Sequence, residues 1–212
     1  ARAVAAHLGT EHHEHYLSEA EALAALGRLP ELYDEPFADS SQIPTHLLSE
    51  LTRREVTVAL SGDGGDELFA GYLRYQQLLD DWARLVSLPS PTRRAARALR
   101  RLPSELLRAG ASRLAPTRLW RIRSELHLAA TRDVAQLYRQ LVSFWPDPAR
   151  LAPEGVEPRE SLLWSAPPPG CDLREWATLV DSETYLCDDI LTKVDRASMG
   201  VSLEVRVPLL DH

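Results

Sequence analysis

One segment of this chain, residues 56–72, constrains the fold more than any other. It runs Val-Thr-Val-Ala-Leu-Ser-Gly-Asp-Gly-Gly-Asp-Glu-Leu-Phe-Ala-Gly-Tyr. The β-branched run at residues 56–60 predicts a short buried strand, and the stretch from Asp66 onward is compatible with a helix. A strand, a glycine-rich loop and a helix in this order indicate an open α/β sheet. Such sheets bind their ligands at the carboxyl ends of their strands.

The loop between the strand and the helix combines glycines with acidic residues. Gly62, Gly64 and Gly65 can adopt positive φ angles and let a ligand approach the backbone, whose N–H groups can bind a nucleotide or phosphate. Asp63 and Asp66 would repel phosphate unless a hard cation such as Mg²⁺, or an amine, lies between. The loop therefore predicts a nucleotide-plus-metal site. The alternative is a solvated turn whose aspartates cap the next helix.

Periodicity and capping signals predict the other elements. A helix over residues 1–8 should end at Gly9, and residues 12–17 alternate like a strand. Ser18 and Glu21 form a capping box for a helix over residues 19–29 that Pro30 ends or interrupts. Further helices are expected in a stretch striped by Ile43, Leu47, Leu48 and Leu51, with Pro44 in its first turn, across residues 66–140, and over residues 172–189 and 190–202. The proline-rich residues 145–169 are expected to be largely loop.

Composition excludes several classes of protein. At 212 residues, 44% of them hydrophobic, the chain can bury one sizeable core. A membrane span and a signal peptide are not expected, because no apolar run approaches about 20 residues. The net charge of −7 argues against a nucleic-acid surface. Cys171 and Cys187 lack metal-type spacing, so we expect free buried thiols and a cytoplasmic location.

Two local patterns permit other interpretations. Ten arginines lie within residues 93–123, which allows RNA binding, but stacking aromatics are nearly missing and a helical subdomain is the better interpretation. His12, His13 and His15 allow a zinc site, but exposed histidines on an edge strand are favoured because only Glu11 and Glu14 could complete it.

Three blocks of sequence carry a family resemblance. The block at residues 61–72, Ser-Gly-Asp-Gly-Gly-Asp-Glu-Leu-Phe-Ala-Gly-Tyr, resembles the second nucleotide loop of the glutamine-dependent asparagine synthetase family. Residues 33–45 resemble the segment that precedes this loop, and residues 185–212 resemble a later signature of the family. The blocks occur in family order, whereas residues 82–170 show no detailed match. Ala70 replaces a usual glycine, which we expect to matter little if that residue is helical.

The resemblance implies a fold. It indicates an α/β protein with a parallel twisted sheet of the adenine nucleotide alpha hydrolase-like type, also called the PP-loop ATP pyrophosphatase type, here truncated. Residues 1–80 and 171–212 would form the nucleotide-binding core. Residues 82–170 would form a mainly helical subdomain with a proline-rich loop.

The resemblance also implies an activity. ATP would adenylate the side-chain carboxylate of aspartate, and glutamine-derived ammonia would attack the β-aspartyl-AMP to form asparagine. By motif position, Ser61, Gly62 and Gly64 would hold the nucleotide, Asp66 would bind Mg²⁺, and Asp63 would be the catalytic residue that orients ammonia or takes its proton. Glu67 would assist the metal or cap the helix, and Asp66 itself could be an N-cap.

Other parts of the family's machinery are expected outside residues 1–212. These are an upstream glutaminase domain, a first nucleotide loop with the pattern Ser-Gly-Gly-x-Asp-Ser, and a downstream lysine. The fragment alone should therefore be inactive and bind ATP poorly, and a homodimer is a possible assembly. The alternatives are a related amidotransferase, a β-lactam or peptide-cyclising synthetase acting on another carboxylate, and a non-catalytic nucleotide-binding homologue.

Two further groups of polar residues are candidates for the site. The first could line a substrate pocket, although turn and cap roles are equally compatible with it: Asp34, Glu35, Asp39, Ser40 and Ser41. The second could form a network of ion pairs, for which buried structural pairs are favoured: Lys193, Asp195, Arg196, Glu204, Arg206 and Asp211.

Overall fold

The computed structural model describes residues 1–100, 116–143, 145, 155 and 162–211. The chain forms two compact units, of which the first combines Ala1–Gly62 with Asp189–His212 and the second is Asp63–Asp188. The first unit is therefore discontinuous in sequence. The predicted division into a nucleotide-binding core and a helical subdomain stays a prediction.

Helices dominate the described residues. In chain order the elements are α1 (Arg2–Leu8), α2 (Glu19–Leu26), α3 (Leu29–Leu32), α4 (Gln42–Arg53), β1 (Val58–Leu60), α5 (Gly65–Phe69), α6 (Leu73–Ser87), α7 (Ser90–Arg100), α8 (Pro116–Ala130), α9 (Val134–Val142), a 3₁₀ turn (Leu162–Trp164), α10 (Leu173–Glu183), a π-helical turn (Leu186–Leu191), α11 (Thr192–Met199), β2 (Glu204–Arg206) and a second 3₁₀ turn (Pro208–Leu210).

The sheet of the first unit consists of β1 and β2, which pair in parallel. Val58 aligns with Glu204 and Leu60 with Arg206. The prediction of an α/β fold with a parallel sheet is thus confirmed at this coarse level. Two details differ from the prediction: β1 is not buried, because the Leu60 side chain is 73% exposed, and β2 was not predicted at all.

The N-terminal helices confirm the local signals and correct one boundary. Gly9 ends α1 in the left-handed conformation, with φ 66°. The capping box of Ser18 and Glu21 starts α2. However, α2 ends at Leu26 rather than residue 29, and Pro30 lies in the first turn of α3. Pro30 begins a helix there because its fixed φ suits a first turn.

The predicted strand over residues 12–17 is wrong. The segment has no regular secondary structure, and its side chains are exposed. Its polar groups bind each other locally instead: His12 contacts Glu14 at 3.0 Å, and Arg2 also pairs with Glu14. Alternation alone cannot make a strand when a neighbouring strand does not supply the hydrogen bonds.

The predicted helix striped by Ile43, Leu47, Leu48 and Leu51 is confirmed as α4, but its fully buried residues are polar and lie beside that stripe. Its buried residues are Gln42, His46 and Ser49, whereas Leu48 of the predicted stripe is 63% exposed. The polar face packs against α11, where the His46 Nδ1 lies 3.3 Å from the Ala197 carbonyl oxygen. The other two buried groups have partners nearer in sequence, since the Gln42 amide donates to the Phe37 carbonyl oxygen and the Ser49 hydroxyl to that of Thr45, both at 2.8 Å.

The core of the second unit lies among α6, α9 and α10. Its largest buried side chains include Tyr75, Leu78, Tyr138 and Trp176, and the Tyr138 and Trp176 rings meet edge to face at 5.6 Å. The prediction of a mainly helical stretch over residues 66–140 is confirmed for the part that the structure describes. The predicted loop at residues 145–169 and the arginine-rich residues beyond Arg100 lie mostly outside the described residues.

A buried ion pair crosses this core. The Asp181 side chain on α10 is 2% exposed and lies 2.6 Å from a terminal guanidinium nitrogen of Arg74 on α6. The Arg74 Nε and the Tyr75 hydroxyl also donate to Asp181, each at 2.8 Å. A buried carboxylate needs such donors because burial without them costs several kcal/mol, of the order of 3–5 when one partner is removed. These bonds tie α6 to α10.

The turn between α5 and α6 holds an alanine in an unfavourable conformation. Ala70 ends α5 with φ 55° and ψ 45°, in the left-handed region. The expectation that this residue is helical, and that replacing a glycine therefore matters little, is wrong. A Cβ in this region costs about 1–2 kcal/mol relative to the right-handed conformation.

Two further predictions concern the state of the cysteines and the presence of membrane-spanning helices. Cys171 and Cys187 are free thiols, as expected, but Cys187 is exposed and Cys171 only half-buried. Among the helices of the described residues, none has the length and apolar character that crossing a membrane requires.

We expect Ala70→Gly to raise the free energy of unfolding by about 1 kcal/mol, because glycine adopts the left-handed region without the Cβ penalty. Urea denaturation measures the change. The matched control is Ala83→Gly at an exposed position inside α6, which should lower the free energy by about 1 kcal/mol. Destabilisation by both substitutions would contradict the strain at Ala70.

Candidate functional site

The glycine-rich loop begins where the parallel sheet ends. The Ser61 N–H donates to the Arg206 carbonyl oxygen at 2.8 Å, which extends the pairing of β1 and β2 by one residue. Gly62 follows and is exposed. Both residues thus lie at the carboxyl end of a parallel strand, as predicted, although that strand is not buried. The boundary between the two units falls directly after Gly62.

Gly62 leaves open space where a side chain would be. A Cβ built on its backbone meets no protein atom within 4 Å. The backbone can therefore approach a ligand here, and the protein itself does not require glycine for packing. Gly62 does not adopt a positive φ, so that part of the prediction is wrong.

Gly64 is the glycine of the loop that takes the left-handed conformation. Its φ is 80°, it is buried, and it is the N-cap of α5. Gly65 is the first residue of the helix and does not need a positive φ, contrary to the prediction. The N-cap role considered for Asp66 is also wrong, because Asp66 lies within the first turn of α5.

The Asp66 side chain lies against Gly71. A Cβ on Gly71 would be 2.0 Å from the Asp66 Oδ1 and 3.2 Å from its Cα. The Gly71 N–H also donates to the Asp66 carbonyl oxygen at 2.9 Å. The turn after α5 thus folds back onto Asp66, which is an exposed residue. Only a glycine at position 71 leaves room for the carboxylate in this arrangement.

Glu67 points in the opposite direction and is 2% exposed. It accepts a hydrogen bond from the Tyr72 hydroxyl at 3.0 Å. Burial and this carboxylate raise the pKa of Tyr72, so the phenol stays protonated and remains a donor. Glu67 therefore neither caps α5 nor reaches solvent, and the sequence analysis missed its bond to Tyr72.

The donor set of the loop fits a hard cation in part. Asp66 is an exposed carboxylate, and Asp63 is half-buried three positions earlier. Within the described part of the chain, no three acidic, histidine or cysteine side chains converge on one metal position. Mg²⁺ needs no such cage, because one or two carboxylates with water and substrate phosphates commonly complete its octahedron. The carboxylate oxygens of Asp63 and Asp66 therefore fit an Mg²⁺ ion whose other ligands are water and substrate phosphates.

The polar cluster of the first unit centres on a buried lysine. The Lys193 Nζ lies 2.6 Å from the Asp39 carboxylate and donates to the Ser41 hydroxyl at 2.8 Å. Burial alone would raise the pKa of Asp39, but the hydrogen bonds from Lys193 and Ser41 outweigh it and lower that pKa. Arg196 pairs with the exposed Asp34 at 2.9 Å. Asp39 and Ser41 thus supply the hydrogen-bond acceptors of the buried Lys193 ammonium.

The charged residues between positions 193 and 211 do not form the single network of ion pairs that was predicted. Lys193 and Arg196 pair with the earlier segment, as described above. The pair of Arg206 and Glu204, at 2.8 Å, is exposed rather than buried.

A cavity of 440 Å³ lies in the first unit, next to the ion pair of Asp34 and Arg196. The Tyr33 and Phe37 rings, stacked at 4.9 Å, contribute to its wall, and Asp34 and Glu35 also line it. Of the five residues predicted to line a pocket, Asp34 and Glu35 line this cavity. Ser40 is exposed.

The histidine alternative is not supported. His13 pairs with Glu11 and His15 with Glu21, both on the surface. A structural zinc ion needs four ligands, and not even three such side chains converge among the residues that the structure describes.

Comparison with known proteins gives a consistent result. A family model described as asparagine synthase matches residues 1–212. A Mycobacterium tuberculosis protein, provisionally designated an asparagine synthetase (glutamine-hydrolysing), is 34% identical over 204 residues, or 96% of this chain and 30% of that protein. Asparagine synthetase (glutamine-hydrolysing) 1 of Bacillus subtilis is 27% identical over 235 residues, or 100% of this chain and 32% of that protein.

A shorter match extends the range of organisms. The asparagine synthetase (glutamine-hydrolysing) of Gallus gallus is 37% identical over 82 residues, or 36% of this chain and 14% of that protein. The chain thus spans about a third of the length of the relatives that it matches along its whole extent. No solved structure matches it.

We expect Gly71→Ala to displace the Asp66 carboxylate, because the new methyl group would overlap its Oδ1. Mn²⁺ can replace Mg²⁺ as a spectroscopic probe, and its affinity in the presence of ATP should fall about tenfold or more. Electron paramagnetic resonance of the full-length protein measures the free ion. Gly27→Ala is the matched control, since the nearest atom would be 3.8 Å away. Equal Mn²⁺ affinities for both variants would contradict this arrangement.

Proposed function

We propose a function from one premise: the chain belongs to the asparagine synthase family. We infer that it is part of an enzyme that uses ATP to convert the side-chain carboxylate of aspartate into the amide of asparagine. The observation that carries the proposal is the acidic turn after β1, where the open backbone of Gly62 is followed by the exposed carboxylate of Asp66.

The reaction consists of two displacements. A carboxylate oxygen of aspartate attacks the α-phosphorus of ATP, and pyrophosphate leaves with the electron pair of the broken bond. Ammonia derived from glutamine then attacks the carbonyl carbon of the β-aspartyl-AMP, AMP leaves, and one proton is lost from the nitrogen. Adenylation is needed because a free carboxylate has no adequate leaving group.

Ser61, Gly62 and Gly64 would hold the nucleotide. The Ser61 backbone N–H is used in the sheet, so Ser61 would not contribute that N–H to the nucleotide. Gly62 leaves room for direct approach to its backbone. The positive φ of Gly64 turns the chain into α5, as in other loops that bind phosphate through successive N–H groups.

Asp66 and Asp63 would serve the two charged partners of the reaction. When bound, Mg²⁺ supplies positive charge that offsets the charge of the phosphates. Asp66 would hold it, because its carboxylate is exposed and occupies space that a side chain at position 71 would fill. Asp63 would orient ammonia or accept its proton, which requires a carboxylate near the reacting carbon.

The use of glutamine is also a proposal. The relatives that match the whole chain are designated glutamine-hydrolysing and are about three times as long as this chain. This supports a full-length protein with a glutaminase domain before residue 1.

Gly62→Ala tests the nucleotide contact without disturbing the protein. Because no protein atom lies near the added methyl group, the free energy of unfolding should change by less than about 0.5 kcal/mol. ATP affinity, measured by calorimetry on the full-length protein, should fall severalfold. Unchanged ATP affinity would count against a nucleotide on this loop.

Asp63→Asn and Asp66→Asn test the chemistry. Asparagine formation from aspartate, ATP and ammonia should fall about 100-fold or more in the full-length Asp63→Asn protein. Asp66→Asn should reduce aspartate-dependent ATP–pyrophosphate exchange and raise the Mg²⁺ concentration that exchange requires. Asp80→Asn, an exposed carboxylate on α6, is the control that should retain both activities. Full activity in Asp63→Asn would overturn its assignment.

A further inference from the structure

We propose that Tyr72 is a positioning residue for Asp66. Through Tyr72, the buried pair of Arg74 and Asp181 holds the Asp66 carboxylate in place. This inference rests on the proposed function, since it assumes that Asp66 binds the metal. It adds a residue that does not touch substrate or metal but connects the loop to the core of the second unit.

The first connection is between Tyr72 and Glu67. Glu67 follows Asp66 directly on α5, yet it is 2% exposed while Asp66 is exposed. The Tyr72 hydroxyl donates to it at 3.0 Å. The two adjacent carboxylates therefore point apart, one toward the interior and the other outward, and the bond to Tyr72 fixes which of them is buried.

The second connection is between Tyr72 and Arg74. The guanidinium carbon lies 4.0 Å from the centroid of the Tyr72 ring and 4.3 Å from that of Tyr185. The two rings meet edge to face at 5.9 Å. A cation between two aromatic faces is attracted to both. Tyr72, Arg74 and Tyr185 therefore form one cluster in which each group contacts the other two.

The third connection anchors Arg74 itself. Asp181 is buried and binds Arg74 at 2.6 Å and 2.8 Å, and it accepts a further bond from Tyr75. Arg74 cannot move without leaving a carboxylate unpaired in the core, which is costly. Tyr72 therefore packs against a guanidinium that the buried Asp181 holds in place.

The consequence for Asp66 follows from the chain itself. Tyr72 comes directly after Gly71, the residue against which the Asp66 carboxylate lies. The Gly71 N–H also binds the Asp66 carbonyl oxygen. A displacement of Tyr72 must therefore move Gly71, and with it both contacts of Asp66. Tyr72 thus acts on the Asp66 carboxylate in two ways. It binds Glu67, the residue after Asp66, and it is bonded to Gly71, against which the carboxylate lies.

The test is Tyr72→Phe in the full-length protein, compared with Tyr16→Phe at an exposed tyrosine. The Mn²⁺ affinity in the presence of α,β-methylene-ATP, measured by electron paramagnetic resonance, should fall about tenfold in Tyr72→Phe, as for other residues that orient a metal ligand. Hydrogen exchange of the Gly71 amide in the metal-free protein should become faster. Tyr16→Phe should change neither quantity.

Two variants of Glu67 separate positioning from direct ligation. Glu67→Gln keeps an oxygen that accepts the Tyr72 hydrogen bond, so it should retain the wild-type Mn²⁺ affinity within about twofold, whereas Glu67→Ala should lose about tenfold. A loss in Glu67→Gln would identify Glu67 as a ligand and overturn the proposal. If Tyr72→Phe does not fold, this pair decides the question, and equal affinities of the two variants also overturn it.

Asp66→Asn keeps this inference distinct from the proposed function. If Asp66→Asn abolishes Mn²⁺ binding while Tyr72→Phe leaves it unchanged, the metal site stands and the role of Tyr72 is wrong. If Asp66→Asn leaves Mn²⁺ binding unchanged, the metal assignment fails, and the inference fails with it.

Discussion

The Asp181 carboxylate is the constraint on which the second unit depends. It is buried, so its charge has to be matched by donors from α6, and Arg74 and Tyr75 supply them from adjacent positions. This requirement sets how α6 lies against α10 more strictly than apolar packing would, because hydrogen-bond geometry tolerates smaller displacements. The turn between α5 and α6 takes its position from the same helix. We propose that this pair, through Tyr72, sets the directions of the Asp66 and Glu67 carboxylates.

Local signals in the sequence were sufficient for several elements. The capping box at Ser18 and the glycine at position 9 specify helix ends through bonds among neighbours, and both occur as predicted. Signals that depend on distant partners were not sufficient. Residues 12–17 alternate without forming a strand, whereas β2, with its exposed ends and half-buried centre, becomes one because β1 lies beside it. Burial of His46 likewise depends on the backbone of α11 and not on the pattern of α4.

The candidate site shows the same division. The types of residue in the loop indicated a nucleotide and a hard cation, and the loop does follow a parallel strand. Which carboxylate is exposed could not be predicted, because Asp66 and Glu67 are adjacent acids of nearly equal chemistry. Their difference arises from Tyr72 and from the absence of a Cβ at Gly71. The left-handed conformation of Ala70 was equally hidden, since alanine usually favours a helix.

The discontinuity of the first unit has a consequence for how the protein folds. Its two strands are separated in sequence by the whole of Asp63–Asp188. A pairing of such distant segments is slow because a long loop has to close first. During synthesis, residues 1–62 would emerge without their partner strand, while the contiguous second unit could complete its core. We therefore expect the edge of β1 that pairs with β2 to stay open until residues 204–206 leave the ribosome, a period in which a chaperone would be of most use.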